Sequence, residues 1–272
     1  MALFISGGLN VALRKKIKID DKTVGYIAGN EHDPKKKNLV FIHSAGGTKD
    51  LWEDAVEHFS RGYNTIAIDL PGHGDSEGEG KSDAFAYSDF VHAVARTAGY
   101  LPAMFFGLSM GGAIAQAIAL SHPGSVTGLV LCGTGAKMPV APVIFETIRS
   151  DYGKFLDLAG VVGYGPMIEK SVIEKHRKIF ASVSPEVAEG DYIACSIFDS
   201  RNRLNEISAP ALIFCGENDN LMPLKFSQYL EQNINGSRLV TFKRAGHFVI
   251  AEEDREFYRV VDEFLEEFEG RN

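Results

Sequence analysis

A serine flanked by glycines, Ser109, restricts the possible folds more than any other feature of the chain. The pentapeptide centred on it reads Gly-Leu-Ser-Met-Gly, between the apolar run 102–106 and the uncharged run 110–120. A serine on a sharp turn from strand to helix has a strained backbone, so the residues two positions before and after it must be very small. Gly107 and Gly111 meet this requirement. The pattern therefore predicts a turn that presents the Ser109 hydroxyl at the end of a buried strand.

Apolar strand-like runs alternate with helix-length segments on both sides of this turn. Eight strands are predicted, at residues 13–19, 24–28, 38–42, 64–70, 102–106, 126–132, 210–215 and 238–242. Continuous apolar strands separated by helices are typical of a parallel sheet that helices cover on both faces. The sequence therefore predicts the α/β class.

The alternation stops in the middle of the chain. Between residues 136 and 208 the sequence shows three helical stretches, at 142–152, 167–180 and 185–198, and no strand pattern. We expect residues 1–135 and 209–272 to form one α/β core. Residues 136–208 are expected to form a helical lid inserted into it.

Composition and charge exclude several classes of function. The net charge is −8 and no basic run forms a stripe or patch, which argues against nucleic-acid binding. No run of about 18 apolar residues occurs, and the first residues lack the charged start of a secretory leader, so membrane insertion is not expected. Three cysteines in a chain of this size are expected to be buried and reduced. These features together predict a cytoplasmic protein, either a monomer or a small homo-oligomer.

A nucleophilic serine needs a histidine that accepts its proton and a carboxylate that orients the histidine. Three histidines follow Ser109 in the chain. His122 lies at the end of the predicted helix after the serine and His176 in a charged helical stretch, so both are interpreted as surface or capping residues. His247 follows a predicted strand and is preceded by Gly246. His247 is therefore the predicted general base.

The carboxylate is expected in the loop after the preceding strand, at residues 215–223. Glu217 and Asp219 both lie in this loop, and spacing alone leaves both as candidates with a slight preference for Asp219. An aspartate at this position also fits a turn or the N-cap of the next helix.

Five segments together resemble the α/β-hydrolase superfamily over nearly the whole chain. They lie at residues 41–47, 69–76, 107–111, 216–223 and 245–247. The resemblance implies an eight-stranded, mostly parallel sheet flanked by helices, with a helical lid. It is greatest to small bacterial carboxylesterases, including enol-lactone hydrolases and carrier-protein methyl-ester esterases.

The resemblance also implies roles for individual residues. In the family, the aspartate of the Gly-x-x-Asp-x-x-x-Pro loop is the triad acid, which selects Asp219 over Glu217. The backbone N–H groups of Ala45 and Met110 are implied as the oxyanion hole. Ser44 stands where the family usually has glycine, so its hydroxyl adds a donor or narrows the pocket.

Residues expected to contact substrate come from the oxyanion loop and from the predicted lid. They are Ser44, Gly46, Phe145, Met167 and Phe198, with Phe155 and Tyr164 as further lid candidates. Aromatic residues at helical spacing also pack within their own layer, which is the alternative interpretation for each lid residue.

These inferences predict a serine hydrolase that cleaves a small ester, lactone or thioester through an acyl-serine intermediate. Ser109 is the expected nucleophile, and no cofactor or metal is expected. A serine at this position, rather than an aspartate, argues against the dehalogenase and epoxide-hydrolase branches. The same triad also serves cofactor-free perhydrolysis, acyl transfer and carbon–carbon bond hydrolysis, and the fold also serves as a non-catalytic ligand receptor.

Overall fold

An eight-stranded sheet forms the centre of the computed structural model, which describes residues 12–269. The strands are β1 (Leu13–Ile19), β2 (Lys22–Ala28), β3 (Asn38–Ile42), β4 (Asn64–Ile68), β5 (Ala103–Leu108), β6 (Val126–Cys132), β7 (Ala211–Gly216) and β8 (Arg238–Phe242). Their order in the sheet is β1-β2-β4-β3-β5-β6-β7-β8. Strands β3 to β8 run parallel, whereas β2 is antiparallel to both β1 and β4. The predicted architecture is confirmed.

Ten α-helices accompany this sheet within the described residues. They are α1 (Glu53–Phe59), α2 (Ala84–Thr97), α3 (Met110–Ser121), α4 (Pro142–Ser150), α5 (Tyr152–Val162), α6 (Lys170–Ala181), α7 (Pro185–Ile197), α8 (Lys225–Asn233), α9 (Val249–Glu252) and α10 (Asp254–Glu269). In the described part of the chain, no helix has the length and apolar character needed to cross a membrane.

The central strands are apolar at nearly every position because both faces of the sheet are covered. On one face, Val40 and Phe105 pack into a core cluster with residues of α2 and α3. On the other face, Phe41 and Phe106 pack with Trp52 and with residues of α1 and α10. Consecutive strand residues thus enter opposite cores, as the two-residue period of a strand requires.

Four helices, α4 to α7, lie between β6 and β7, and we call them the inserted helices. The sequence predicted three of them and missed α5. The run 152–163 contains three glycines, which weaken a helical pattern. The helix nevertheless forms, with the Asp151 side chain accepting a hydrogen bond from the Lys154 N–H at its start.

The inserted helices pack on the core through an aromatic cluster. The Tyr164 hydroxyl and His176 Nδ1 are 2.7 Å apart, and the Tyr164 ring stacks on Phe248 with a centroid distance of 4.8 Å. The expectation that His176 is a surface or capping residue is wrong, since it is only 5% exposed. Its helix turns this residue toward Phe248. Burial is the main cause that lowers the pKa of His176 to about 4, with a smaller contribution from Lys175.

Acid is expected to destabilise the fold through His176. An unfolded chain protonates this histidine below about pH 6.5, whereas the folded chain does so only near pH 4. The free energy of unfolding should therefore decrease as the pH falls from about 6.5 to about 4, by on the order of 3 kcal/mol. Urea unfolding at several pH values measures this decrease.

The variant His176→Gln should flatten this part of the pH profile, because glutamine does not titrate. The matched control is His122→Gln, at a partly exposed histidine paired with Asp89. An equally steep profile in His176→Gln would contradict the assignment.

Candidate active site

The turn at Ser109 has the strained geometry that its glycines predicted. Ser109 lies between β5 and α3 with φ 55° and ψ −115°, a backbone conformation that residues other than glycine rarely adopt. A Cβ on Gly107 would lie 2.2 Å from the Gly111 carbonyl oxygen, and a Cβ on Gly111 would lie 2.2 Å from the Ile42 carbonyl oxygen. Neither position has room for a side chain. The turn can form because glycine at both positions allows the neighbouring backbone segments to approach this closely.

Asp219 and His247 form a buried pair at the carboxyl ends of β7 and β8. Asp219 Oδ2 is 2.8 Å from His247 Nδ1, while Oδ1 accepts hydrogen bonds from the N–H groups of Leu221 and Met222 at 2.9 and 2.8 Å. Burial opposes ionisation of Asp219, but His247 and the two backbone donors outweigh it and lower the carboxyl pKa. An ionised Asp219 therefore holds the Nδ1–H tautomer of His247, which leaves Nε2 free to accept a proton.

The structure distinguishes the two acidic residues of the loop after β7. Glu217 is exposed, and its Oε1 accepts a hydrogen bond from the Thr241 hydroxyl at 3.3 Å. Within residues 12–269, the hydrogen bond and ion pair of the His247 ring go to Asp219 and not to Glu217. This geometry favours Asp219 as the orienting acid, which stays a prediction.

The loop after β3 places Ala45 at the same site. The Gly47 N–H donates to the Ser44 carbonyl at 3.0 Å and closes a tight turn in which Gly46 has a φ of +65°. The Ser44 hydroxyl is buried and has no hydrogen-bond partner within residues 12–269. Met110 is the first residue of α3, so its N–H has no partner within the helix. Ala45 lines the cavity beside Ser109, and Met110 directly follows Ser109 in the chain. Their role as the oxyanion hole stays a prediction.

A cavity of about 250 Å³ lies against Ser109 and His247. Ser44, Ala45, Ser109 and His247 line it on the core side. The inserted helices contribute seven further lining residues: Ile144, Phe155, Ala159, Val162, Phe180, Tyr192 and Cys195. No Asp, Glu, Lys or Arg is among the residues of the described chain that line it. Apolar side chains therefore form most of the wall, and its polar groups include those of Ser44, Ser109, Tyr192, Asn220 and His247.

Four residues expected to contact substrate do not line this cavity. Phe145 is one position beyond Ile144, which points inward instead. Met167 is 68% exposed between α5 and α6, and Phe198 is buried against Phe85 at the end of α7. Gly46 turns its N–H away from the cavity, toward a buried carboxylate. Of the predicted substrate contacts, Ser44 and the further candidate Phe155 line the cavity, whereas the further candidate Tyr164 does not.

Most of the residues that α5 contributes to the cavity were not predicted from the sequence. Phe155, Ala159 and Val162 lie at positions i, i+4 and i+7, so they share one face of this helix. That spacing was visible in the sequence, but only Phe155 was named as a candidate because the helix itself was not predicted.

Within residues 12–269, no cluster of three or more His, Cys, Asp or Glu side chains is placed to hold a metal ion. The three cysteines are buried and free. Burial raises the pKa of the Cys215 thiol to about 11.

Residues 39–260 match the model of the alpha/beta hydrolase family. The chain belongs to this family. The match spans the sheet from β3 to β8, the Ser109 turn and the Asp219–His247 pair, so the family and fold predictions are confirmed.

Several esterases and hydrolases resemble the chain along most of its length. A pimeloyl-[acyl-carrier protein] methyl ester esterase from Neisseria meningitidis is 27% identical over 246 residues, which cover 85% of this chain and 94% of that protein. A thermophilic esterase structure is 28% identical, with a TM-score of 0.81 and coverage of 94% of this chain and 98% of that one. The enol-lactonase from Burkholderia xenovorans LB400 shares the fold, with 24% identity, a TM-score of 0.85 and coverage of 92% and 99%.

Asp219→Asn is expected to lower kcat for ester hydrolysis by about 10³–10⁴-fold while leaving the fold intact, because an amide favours the wrong tautomer of His247. Steady-state kinetics together with circular dichroism measure both effects. Glu217→Gln, in the same loop, is the matched control and should hydrolyse at the wild-type rate. Equal losses in the two variants would show that the loop, and not the Asp219 carboxylate, is responsible.

Proposed function

We propose that this protein is a serine hydrolase that cleaves a small, uncharged ester or lactone through an acyl-serine intermediate. The observation that carries the proposal is the placement of a strained Ser109 and the buried Asp219–His247 pair around one apolar cavity. Names of relatives, which include several esterases, confirm the broader prediction of an enzyme that acts on ester bonds.

The geometry supports a two-step reaction. Ser109 Oγ attacks the substrate carbonyl carbon and gives its proton to His247 Nε2, while Asp219 stays ionised and holds Nδ1–H. The carbonyl oxygen becomes an oxyanion that accepts hydrogen bonds from the Ala45 and Met110 N–H groups. When the tetrahedral species collapses, the bond to the leaving oxygen breaks and His247 donates its proton to that oxygen. Water then attacks the acyl-serine with His247 as base, which releases the acid and regenerates Ser109.

The cavity wall supports an uncharged substrate. A carboxylate bound there would lose its hydration without meeting a lysine or arginine. Among the lining residues that the structure describes, the titratable side chains are those of His247, Tyr192 and Cys195. Moving an unpaired charge out of water is costly. The volume of about 250 Å³ is also below the roughly 300–1,000 Å³ of pockets for drug-sized ligands. A short apolar acyl group fits both observations.

The nucleophile is tested by covalent labelling. A fluorophosphonate probe should add once to the wild-type protein and not to Ser109→Ala, as measured by intact mass. The same variant should lose on the order of 10⁶-fold in the chemical step, because the members of a triad act as a unit. A wild-type protein that is neither labelled nor active on esters would contradict the proposal and favour a ligand receptor.

Dimethyl adipate should be a better substrate than monomethyl adipate at pH 7. The two molecules have similar size and the same reacting group, but only the monoester carries a carboxylate. We expect kcat/KM to differ by at least about 100-fold, since burial of an unpaired charge costs several kcal/mol. Titration of released acid measures both rates.

A cation added to the cavity wall provides the control. Ile144→Lys should narrow the ratio between the two substrates, whereas Ile144→Met, which has a similar length but no charge, should not. Equal kcat/KM for the diester and the monoester in the wild-type protein would contradict the uncharged-substrate assignment without affecting the serine mechanism.

A further inference from the structure

A buried carboxylate on the inserted helices reaches into the core beside the oxyanion loop. Asp191 of α7 is 0% exposed. Its Oδ2 accepts a hydrogen bond from the Gly46 N–H at 2.7 Å and lies 2.9 Å from His73 Nε2. Its Oδ1 accepts a hydrogen bond from the Tyr87 hydroxyl at 2.6 Å. One side chain of the insertion thus joins three separate segments of the core.

The hydrogen bond from the Gly46 N–H to Asp191 lies one residue after Ala45, whose N–H is an expected oxyanion donor. Gly46 follows Ala45, and the peptide group that carries the Gly46 N–H also contains the Ala45 carbonyl. Because a peptide group is planar, the hydrogen bond to Asp191 fixes the orientation of this peptide. Together with the hydrogen bond from the Gly47 N–H to the Ser44 carbonyl, it leaves the backbone around Ala45 little freedom to rotate.

The charge of Asp191 is balanced by His73. His73 Nδ1 lies 3.0 Å from the Pro71 carbonyl and Nε2 lies 2.9 Å from Asp191, so both ring nitrogens face acceptors. Only the imidazolium donates at both nitrogens. Burial opposes this charge, but Asp191 outweighs burial and raises the pKa of His73. The ion pair allows a carboxylate near the oxyanion hole without an uncompensated negative charge.

The same helix also forms part of the cavity wall. Tyr192 and Cys195, one and four residues after Asp191, both line the cavity. The position of α7 therefore affects both the shape of the cavity and the oxyanion loop.

A second set of hydrogen bonds connects residues between α5 and α6 to the loop that carries His247, the proposed general base. Glu252 accepts hydrogen bonds from the Gly165 N–H at 2.6 Å and from the Gly246 N–H at 3.0 Å. The His247 N–H donates to the Gly163 carbonyl at 2.9 Å. Residues between β6 and β7 are thus hydrogen-bonded to both loops of the site. Asp191 binds the oxyanion loop, and Gly163 binds the loop that carries His247.

We propose that Asp191 is a positioning residue that holds the oxyanion loop in its active conformation, so that the inserted helices complete the oxyanion hole as well as enclosing the substrate. This inference rests on the proposed function. Its effect should appear in the chemical step, because the Ala45 N–H is needed most when the oxyanion forms.

The test compares Asp191→Ala with Asp191→Asn in the full-length protein. Removal of an oxyanion donor costs about 10²–10³-fold in kcat, so its misplacement in Asp191→Ala should lower kcat by at least about tenfold with little change in KM. Asparagine retains an oxygen that accepts from Gly46 and should restore most of kcat. An alkyl trifluoromethyl ketone, which forms an oxyanion adduct with a serine, should bind Asp191→Ala more weakly in proportion to the loss of kcat/KM.

Tyr87→Phe provides the matched control. It removes one hydrogen bond to Asp191 but leaves the bond to Gly46, so it should lower the melting temperature and leave kcat unchanged. If Asp191→Ala does not fold because His73 loses its counter-ion, the double variant Asp191→Leu with His73→Phe removes both charges, and it should fold and show the same loss of kcat.

Two results would overturn the inference. One is a folded Asp191→Ala, or a folded double variant, with wild-type kcat and wild-type inhibitor affinity. The other is an equal loss of kcat in Asp191→Ala and Tyr87→Phe, which would indicate general destabilisation. Failure of the proposed function is distinguishable, since the wild-type protein would then neither hydrolyse esters nor react with the fluorophosphonate.

Discussion

The close approach of two backbone segments, at Gly111 and Ile42, is the constraint on which the site depends. A Cβ at Gly111 would lie 2.2 Å from the Ile42 carbonyl oxygen, so the start of α3 packs directly against the end of β3. This contact places the Met110 N–H beside the loop that follows β3, which carries Ala45. It also requires the strained backbone of Ser109, whose cost is offset by the burial of α3 against the sheet.

The sheet and the inserted helices contribute different parts of the candidate site. The sheet supplies Ser109, Asp219 and His247 at the carboxyl ends of parallel strands, where sites in open α/β sheets form. The insertion supplies most of the apolar wall and bonds to the loops on both sides of the serine, through Asp191 and through the backbone near Gly163. Under the proposed mechanism, one segment of the chain therefore affects both the substrate cavity and the oxyanion loop.

Prediction from the sequence succeeded where a local pattern reports a local constraint. The bounds of β1, β3, β6 and β8 agree with the predicted runs, because a strand buried on two faces must be apolar throughout and an edge strand must alternate. Prediction failed where packing between distant segments determines the position of a side chain. Met167 and Phe198 were expected at the substrate, yet one is exposed and the other fills the core, and His176 is buried although its neighbours in the chain are charged.

The α/β sheet, the serine turn and the order of the serine, acid and histidine segments could be predicted from the sequence, because glycine spacing and strand hydrophobicity follow from the sterics and burial of neighbouring residues. Tertiary packing is what pairs His247 with Asp219 rather than Glu217, selects the residues of the cavity wall and brings Asp191 to Gly46 across 145 positions of the chain. Contacts of this kind depend on how helices pack on the sheet. No local pattern in the chain records that packing.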